Sequence, residues 1–142
     1  MSTAREVMHS GAECIGENDT LVKAAQMMRD MHVGALPICG SDDRLHGIIT
    51  DRDIIVKCVA DGRNPKSVKA GELADGPPIW VDADAETTAV LSIMIESGIR
   101  RVPVLEDHRL VGIISEAEIA TQLDEVQVKQ FASAIYGAPP NS

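Results

Sequence analysis

The sequence predicts a mixed α/β protein made of two copies of one strand–helix–strand–strand–helix unit, followed by a C-terminal helix. Three observations predict it. First, the chain aligns with itself at an offset of 66: Thr3 to Ser41 runs without a gap, with Met28 on Met94 and Pro37 on Pro103. Second, each copy alternates apolar residues at helical spacing with short apolar runs of strand length. Third, Gly47-Ile48-Ile49-Thr50-Asp51-Arg52-Asp53 recurs as Gly112-Ile113-Ile114-Ser115-Glu116-Ala117-Glu118. In both, a strand runs into a hydroxyl residue and an acid follows three positions later. Two copies are too few for a solenoid, so a closed pair is expected.

The elements follow in order. A short strand near Cys14-Ile15 leads to a helix that Asn18 or Asp19 can cap, with Leu21, Ala24, Ala25, Met28 and Met31 at helical spacing. A strand from Ala35 to Cys39 contains Pro37, which cannot donate to a ladder; an edge or a break in pairing is expected there and at Pro103. A polar turn leads to the strand Leu45 to Ile49, then a helix from Asp51 to Ala60, ended by Gly62 and Asn64-Pro65. Copy two repeats this with a strand at Trp80-Val81, a cap at Asp84, and Val90, Leu91 and Met94 on its helix. Copy one spans 3–62, a polar linker 63–68, copy two 69–122, and a last helix 123–137 before a fraying tail. On that helix Val128, Phe131, Ala132 and Ile135 share one face, which covers either its own core or a second subunit.

Bulk properties narrow the function. At 142 residues, 44% hydrophobic but with only Trp80, Phe131 and Tyr136 aromatic, the core must be aliphatic. A net charge of −9 argues against nucleic acid and against an anionic membrane surface. A single nucleotide remains feasible, because one or two local cations and helix N-termini suffice. No apolar run reaches the roughly 18–20 residues of a membrane span, and the first residues lack the apolar core of a signal peptide, so a cytoplasmic protein is expected. In that compartment Cys14, Cys39 and Cys58 are free thiols by default.

The doubled pattern of helix, h-G-A-L-P-I, polar turn and R-L-h-G-I-I-T-D-R-D resembles a tandem pair of CBS domains, the Bateman module. The resemblance covers about Thr3 to Gln122. It is similar to small stand-alone CBS-pair proteins of the hypoxic-response type. It implies two βαββα units packed about a pseudo-two-fold axis, with two clefts in which adenosine nucleotides often bind, and a homodimer.

The residues suit such a pocket. A carboxylate can accept both hydroxyls of a ribose, and the resemblance places that contact on Asp53. Helix N–H groups, the Thr50 hydroxyl and Arg52 can serve the phosphates, while Ile15, Ala35, Leu36 and Pro37 can line a base slot. Thr50 and Asp53 are equally the residues that cap a helix with no ligand at all. In copy two the counterparts are Trp80, Val81, Arg101, Val102, Pro103, Ser115 and Glu118. Glu118 is one methylene longer, Ala117 replaces the Arg52 cation, and Trp80 either stacks on a base or fills its slot. Arg100 and Arg101 are open to phosphate or to ion pairing. The Asp53 half is therefore expected to be the better equipped.

No obligatory cofactor is expected. His9, His32, His46 and His108 lack metal spacing and no CxxC exists, so no metal site is expected. No P-loop, dinucleotide fingerprint or catalytic triad can be argued, so no enzyme is expected. Cys14 and Cys39 fall on the two strands of the first base slot, either as buried thiols or as a disulfide if their Cα atoms lie within about 7 Å. Two functions stand: a regulatory sensor of an adenosine-type nucleotide (AMP, ADP, ATP or related), or a ligand-free dimeric stress or interaction protein, redox-responsive through Cys14 and Cys39.

Overall fold

The computed structural model describes residues 2–11, 13–74 and 78–137, which form two compact units. The first unit runs from Glu13 to Pro78; the second joins the N-terminal residues to the chain from Ile79 onward. The spatial units therefore differ from the sequence copies at their starts.

In the first unit, β2 (Ile15–Gly16), β3 (Ala35–Cys39) and β4 (Leu45–Thr50) form a sheet in the order β2-β3-β4. Helix α2 (Leu21–Met31) lies between β2 and β3, and α3 (Asp51–Ile54) passes without interruption into a π-helical turn, Ile55–Val59. The core is aliphatic, as the composition requires. It gathers Ile15, Leu21, Ala24, Met28, Leu36, Ile38, Ile49, Ile54 and Cys58, with Val68 from the linker and Ala70 and Leu73 from beyond it. The linker is tied down: Leu21 N–H donates to Val68 O, and Asn64 Oδ1 accepts from Lys66 N–H.

The second unit contains α1 (Ala4–Val7), β1 (His9–Ser10), β5 (Val81–Asp82), α4 (Thr87–Ser97), β6 (Arg101–Glu106), β7 (Arg109–Ser115), α5 (Glu116–Ala120) and α6 (Glu125–Tyr136). Its sheet order is β1-β7-β6-β5. Phe131 and Ile135 of α6 enter this unit's own core with Val90, Leu91 and Met94. That decides the open question for Phe131 and Ile135, while Val128 stays exposed. The expected fraying of 138–142 lies outside the described residues.

Each copy gives its opening residues to the other copy's unit. Ala4 and Arg5 donate their N–H groups to Ala85 O and Ala83 O; Ala70 and Gly71, in the 3-10 helix Ala70–Leu73, donate theirs to Asp19 O and Glu17 O. All four pairs keep the offset of 66. This exchange explains the glycine of the repeated motif. A Cβ on Gly47 would stand 2.9 Å from the Cβ of Ala74; one on Gly112 would meet Met8 Sδ at 2.5 Å and His9 O at 2.9 Å.

Two local expectations change. The N-cap of α2 is Thr20, whose hydroxyl accepts from Lys23 N–H, because Asp19 is engaged by Gly16 N–H and by the Lys23 ammonium. In copy two, Glu86 rather than Asp84 holds the cap position. Pro37 and Pro103 sit in interior strands, not edges. The break in pairing is on one side only: β2 pairs β3 from Ile38 onward, and β5 pairs β6 from Val104 onward.

Candidate functional site

The strand-to-helix turn of copy one is a capping box. Thr50 Oγ1 accepts from Asp53 N–H at 3.1 Å, and Asp53 Oδ2 accepts from Thr50 N–H at 2.9 Å. Both residues are buried, at 8% and 4% exposure. A buried carboxylate needs a compensating charge. Lys57, one helical turn on, supplies it, with Nζ 3.3 Å from Asp53 Oδ1. Sequence reasoning missed Lys57, although its i,i+4 spacing from Asp53 was a readable signal. Arg52 is exposed.

Alternation along the strands divides the expected base-slot residues. Ile15 and Leu36 point into the hydrophobic core and so cannot line a slot with their side chains. Ala35 and Pro37 alternate with Leu36 and Ile38, and Thr50 is the register partner of Ala35. These three share the opposite face of the sheet. Cys39 belongs to that alternation too, and it is joined to Cys14 by a disulfide with a Cα–Cα distance of 5.6 Å. The free-thiol default gives way there because β2 and β3 are parallel neighbours, with Gly16 opposite Cys39. Cys58 is a buried free thiol.

The same division holds in copy two. Val81 and Val102 are core residues, while Arg101, Pro103 and Ser115 lie on the other face, with Arg101 opposite Ser115. Trp80 precedes β5 and is 42% exposed, so it fills no slot within its unit. Arg100 stacks over the Tyr136 ring, 5.7 Å from its centroid. Ser115 gives both its N–H (2.9 Å) and its hydroxyl to Oε2 of Glu118. Burial pushes the Glu118 carboxyl up, but these hydrogen bonds and the charge of His9 outweigh it and hold it below the usual range. Glu118 borders an open concavity of about 440 Å³ with Glu6, Val7, Ala117, Thr121 and Gln122. No local stretch of sequence announces it, because Glu6 and Val7 arrive from the far end of the chain.

Two strand–helix units, each with a hydroxyl-and-acid turn at the start of its last repeat helix, define a tandem-repeat module. The chain belongs to the CBS domain family, which it matches twice, over residues 4–59 and 70–125. CBS pairs are typically regulatory, non-enzymatic modules. The chain is 53% identical over 135 residues to Hypoxic response protein 1 of Mycobacterium tuberculosis, covering 95% of this chain and 94% of that one. The crystal structure of Hypoxic Response Protein I with two coordinated zinc ions matches at a TM-score of 0.79, over 87% of this chain and 100% of that one. CBSX2 in complex with AMP matches in fold at 19% identity and a TM-score of 0.73, over 91% and 99%.

Among the described residues, no group of three or more His, Cys, Asp and Glu side chains is placed to hold a metal ion. The Cys14 and Cys39 sulfurs bind each other, and among the described residues His46 faces Glu17 (3.2 Å) and Asp42 (3.5 Å).

Proposed function

We propose that this chain is a regulatory CBS pair that senses an adenosine-type nucleotide, AMP, ADP, ATP or a related molecule, and works as a cytoplasmic homodimer. The observation that carries the reading is the Thr50–Asp53 turn: a hydroxyl and a buried carboxylate at the start of a helix, repeated at Ser115–Glu118. A carboxylate offers about four lone-pair sites, so a helix cap and a ribose diol are compatible on one residue. The helix N–H groups of Asp51, Arg52 and Asp53 are taken by Gly34 O, Asp51 Oδ1 and Thr50 Oγ1, so the exposed Arg52 guanidinium is the group that suits phosphate. The AMP complex of CBSX2 supports the reading only as far as showing that this fold admits such a ligand. A stress role follows the name of the Mycobacterium tuberculosis relative. Binding would act by favouring one of two packings.

The test is a thermal shift with AMP, ADP, ATP, S-adenosylmethionine and NAD on wild type, Asp53→Asn and Glu118→Gln. A ligand at 100 times its Kd adds about 2.7 kcal/mol, and Asp53→Asn is expected to lose that gain. Loss in Glu118→Gln instead moves the site to the second half. No shift with any of the five overturns nucleotide sensing.

A further inference from the structure

The first unit holds a disulfide that joins its shortest strand to the neighbouring one. Cys14 immediately precedes β2, and Cys39 closes β3. Strand β2 has two residues, and its register with β3 consists of Ile15 on Ile38 and Gly16 on Cys39. So short a ladder has little stability of its own, and the covalent bond fixes it. What β2 carries matters more than its length. Glu17, the next residue, donates its N–H to Cys39 O at 3.0 Å and accepts Gly71 N–H at 2.9 Å; Asp19 O accepts Ala70 N–H at 2.8 Å. The 3-10 helix Ala70–Leu73 is thus seated on the segment that the disulfide pins. A Cβ on Gly71 would stand 2.9 Å from Glu17 O, so the fit is close.

Access is one-sided. Cys39 is buried at 6% exposure, whereas Cys14 is half-buried, so an incoming sulfur meets Cys14. The third cysteine, Cys58, is fully buried with its thiol donating to Arg63 O, and it takes no part.

We propose that Cys14 and Cys39 form a reversible dithiol–disulfide switch whose state sets the order of β2, the turn Glu17–Thr20 and the 3-10 helix Ala70–Leu73. The partner is a dithiol reductant of the thioredoxin class. Its thiolate attacks Cys14 Sγ, the Cys14–Cys39 bond breaks, and the electron pair leaves on Cys39 Sγ, which takes a proton from solvent. The reductant's second thiolate then attacks the mixed disulfide. It releases Cys14, which is protonated in turn, and the reductant departs as its own disulfide. Two electrons and two protons enter the protein; a small disulfide such as oxidised glutathione reverses the exchange. The proposal is independent of nucleotide binding.

The experiment uses the full chain, purified without reductant, then treated under native conditions with reduced thioredoxin. Thiols are counted by alkylation after denaturation, and amide hydrogen exchange is followed in both states. One thiol is expected before treatment, three after it, and one again after oxidised glutathione, from three cysteines in all. Amides of Ile15–Asp19 and Ala70–Leu73 are expected to exchange about tenfold faster when reduced, and those of α4 unchanged. Cys14→Ser should show the fast pattern with or without reductant; should it fail to fold, the two wild-type states carry the test alone. A bond that opens only under denaturant marks a structural crosslink and overturns the switch. Equal exchange in the two states overturns it as well.

Discussion

The turn at Asp53 and the turn at Glu118 occupy the same place in the repeat but are built differently. Asp53 is buried, reciprocally bonded with Thr50, and neutralised by Lys57 one turn along a helical stretch from Asp51 to Val59. Glu118 is half-buried, takes two donors from Ser115, and stands on a five-residue helix beside an open concavity. The position after one further turn is Gln122, so no cation repeats Lys57 there. One methylene and one lost charge thus separate a buried, ion-paired carboxylate from one that borders open space. Doubling a motif preserves the cap, because cap chemistry is local. It does not preserve the surroundings that decide what else the acid can do.

The strongest way to break that comparison is to delete each acid. Asp53→Ala strands a buried Thr50 N–H and removes the carboxylate 3.3 Å from Lys57, while Thr50 Oγ1 still accepts the N–H of residue 53. The expected loss is about 2–3 kcal/mol, that of an unsatisfied buried donor. Glu118→Ala loses a cap near solvent, about 1 kcal/mol. Urea unfolding followed by circular dichroism measures both, and equal losses would show that burial of Asp53 adds nothing.

A second contrast lies at the two glycines. Gly112→Ala drives a Cβ toward Met8 and the His9 carbonyl oxygen, which belongs to a strand in the ladder. Gly47→Ala meets the Cβ of Ala74 in a connecting segment, with that residue's backbone 3.7 Å away. Overpacking of this kind costs about 1–3 kcal/mol. The Gly112 variant should fall near the top of that range and the Gly47 variant near the bottom. Thermal melts of the two single variants rank them, and the reverse order would mean that β1 yields more easily than the connector at Ala74.

What could be read in advance follows how local each feature is. The repeat and its element order were legible because an offset of 66 survives along most of the copy. Thr50 with Asp53, and Ser115 with Glu118, were legible because a cap needs only residues three apart. The cap of α2 was misassigned because Asn18, Asp19 and Thr20 are all capping types; only the engagement of Asp19 by Gly16 and Lys23 leaves the role to Thr20. The core placement of the Leu36 side chain is legible too, because strand alternation separates it from Ala35 and Pro37. The concavity at Glu118 and the seating of Ala70–Leu73 on Glu17 and Asp19 depend on segments exchanged between copies, which no local window contains. The bridge from Cys14 to Cys39 required β2 to lie parallel beside β3, a pairing that spacing alone leaves open.

The smallest expected effect is the sharpest on Glu118. Its carboxyl is held below the usual glutamate value of 4.5 by the Ser115 donors and the charge of His9, against burial. The unfolded chain therefore binds a proton more tightly than the native one. The stabilisation is fully present above about 4.5 and is lost as pH falls through the lower folded value. Wild type should exceed Glu118→Gln by up to about 1 kcal/mol at pH 7, the worth of a charged cap, and the gap should close toward pH 3. Other carboxylates are held low as well, among them Asp19 by the Lys23 ammonium and Glu106 by the Arg5 guanidinium, so wild type alone would report their sum. The difference between the two proteins isolates Glu118. A gap that ignores pH would mean that Gln accepts the Ser115 donors as well as the carboxylate does, and that the charge of Glu118 is left for whatever enters the concavity beside it.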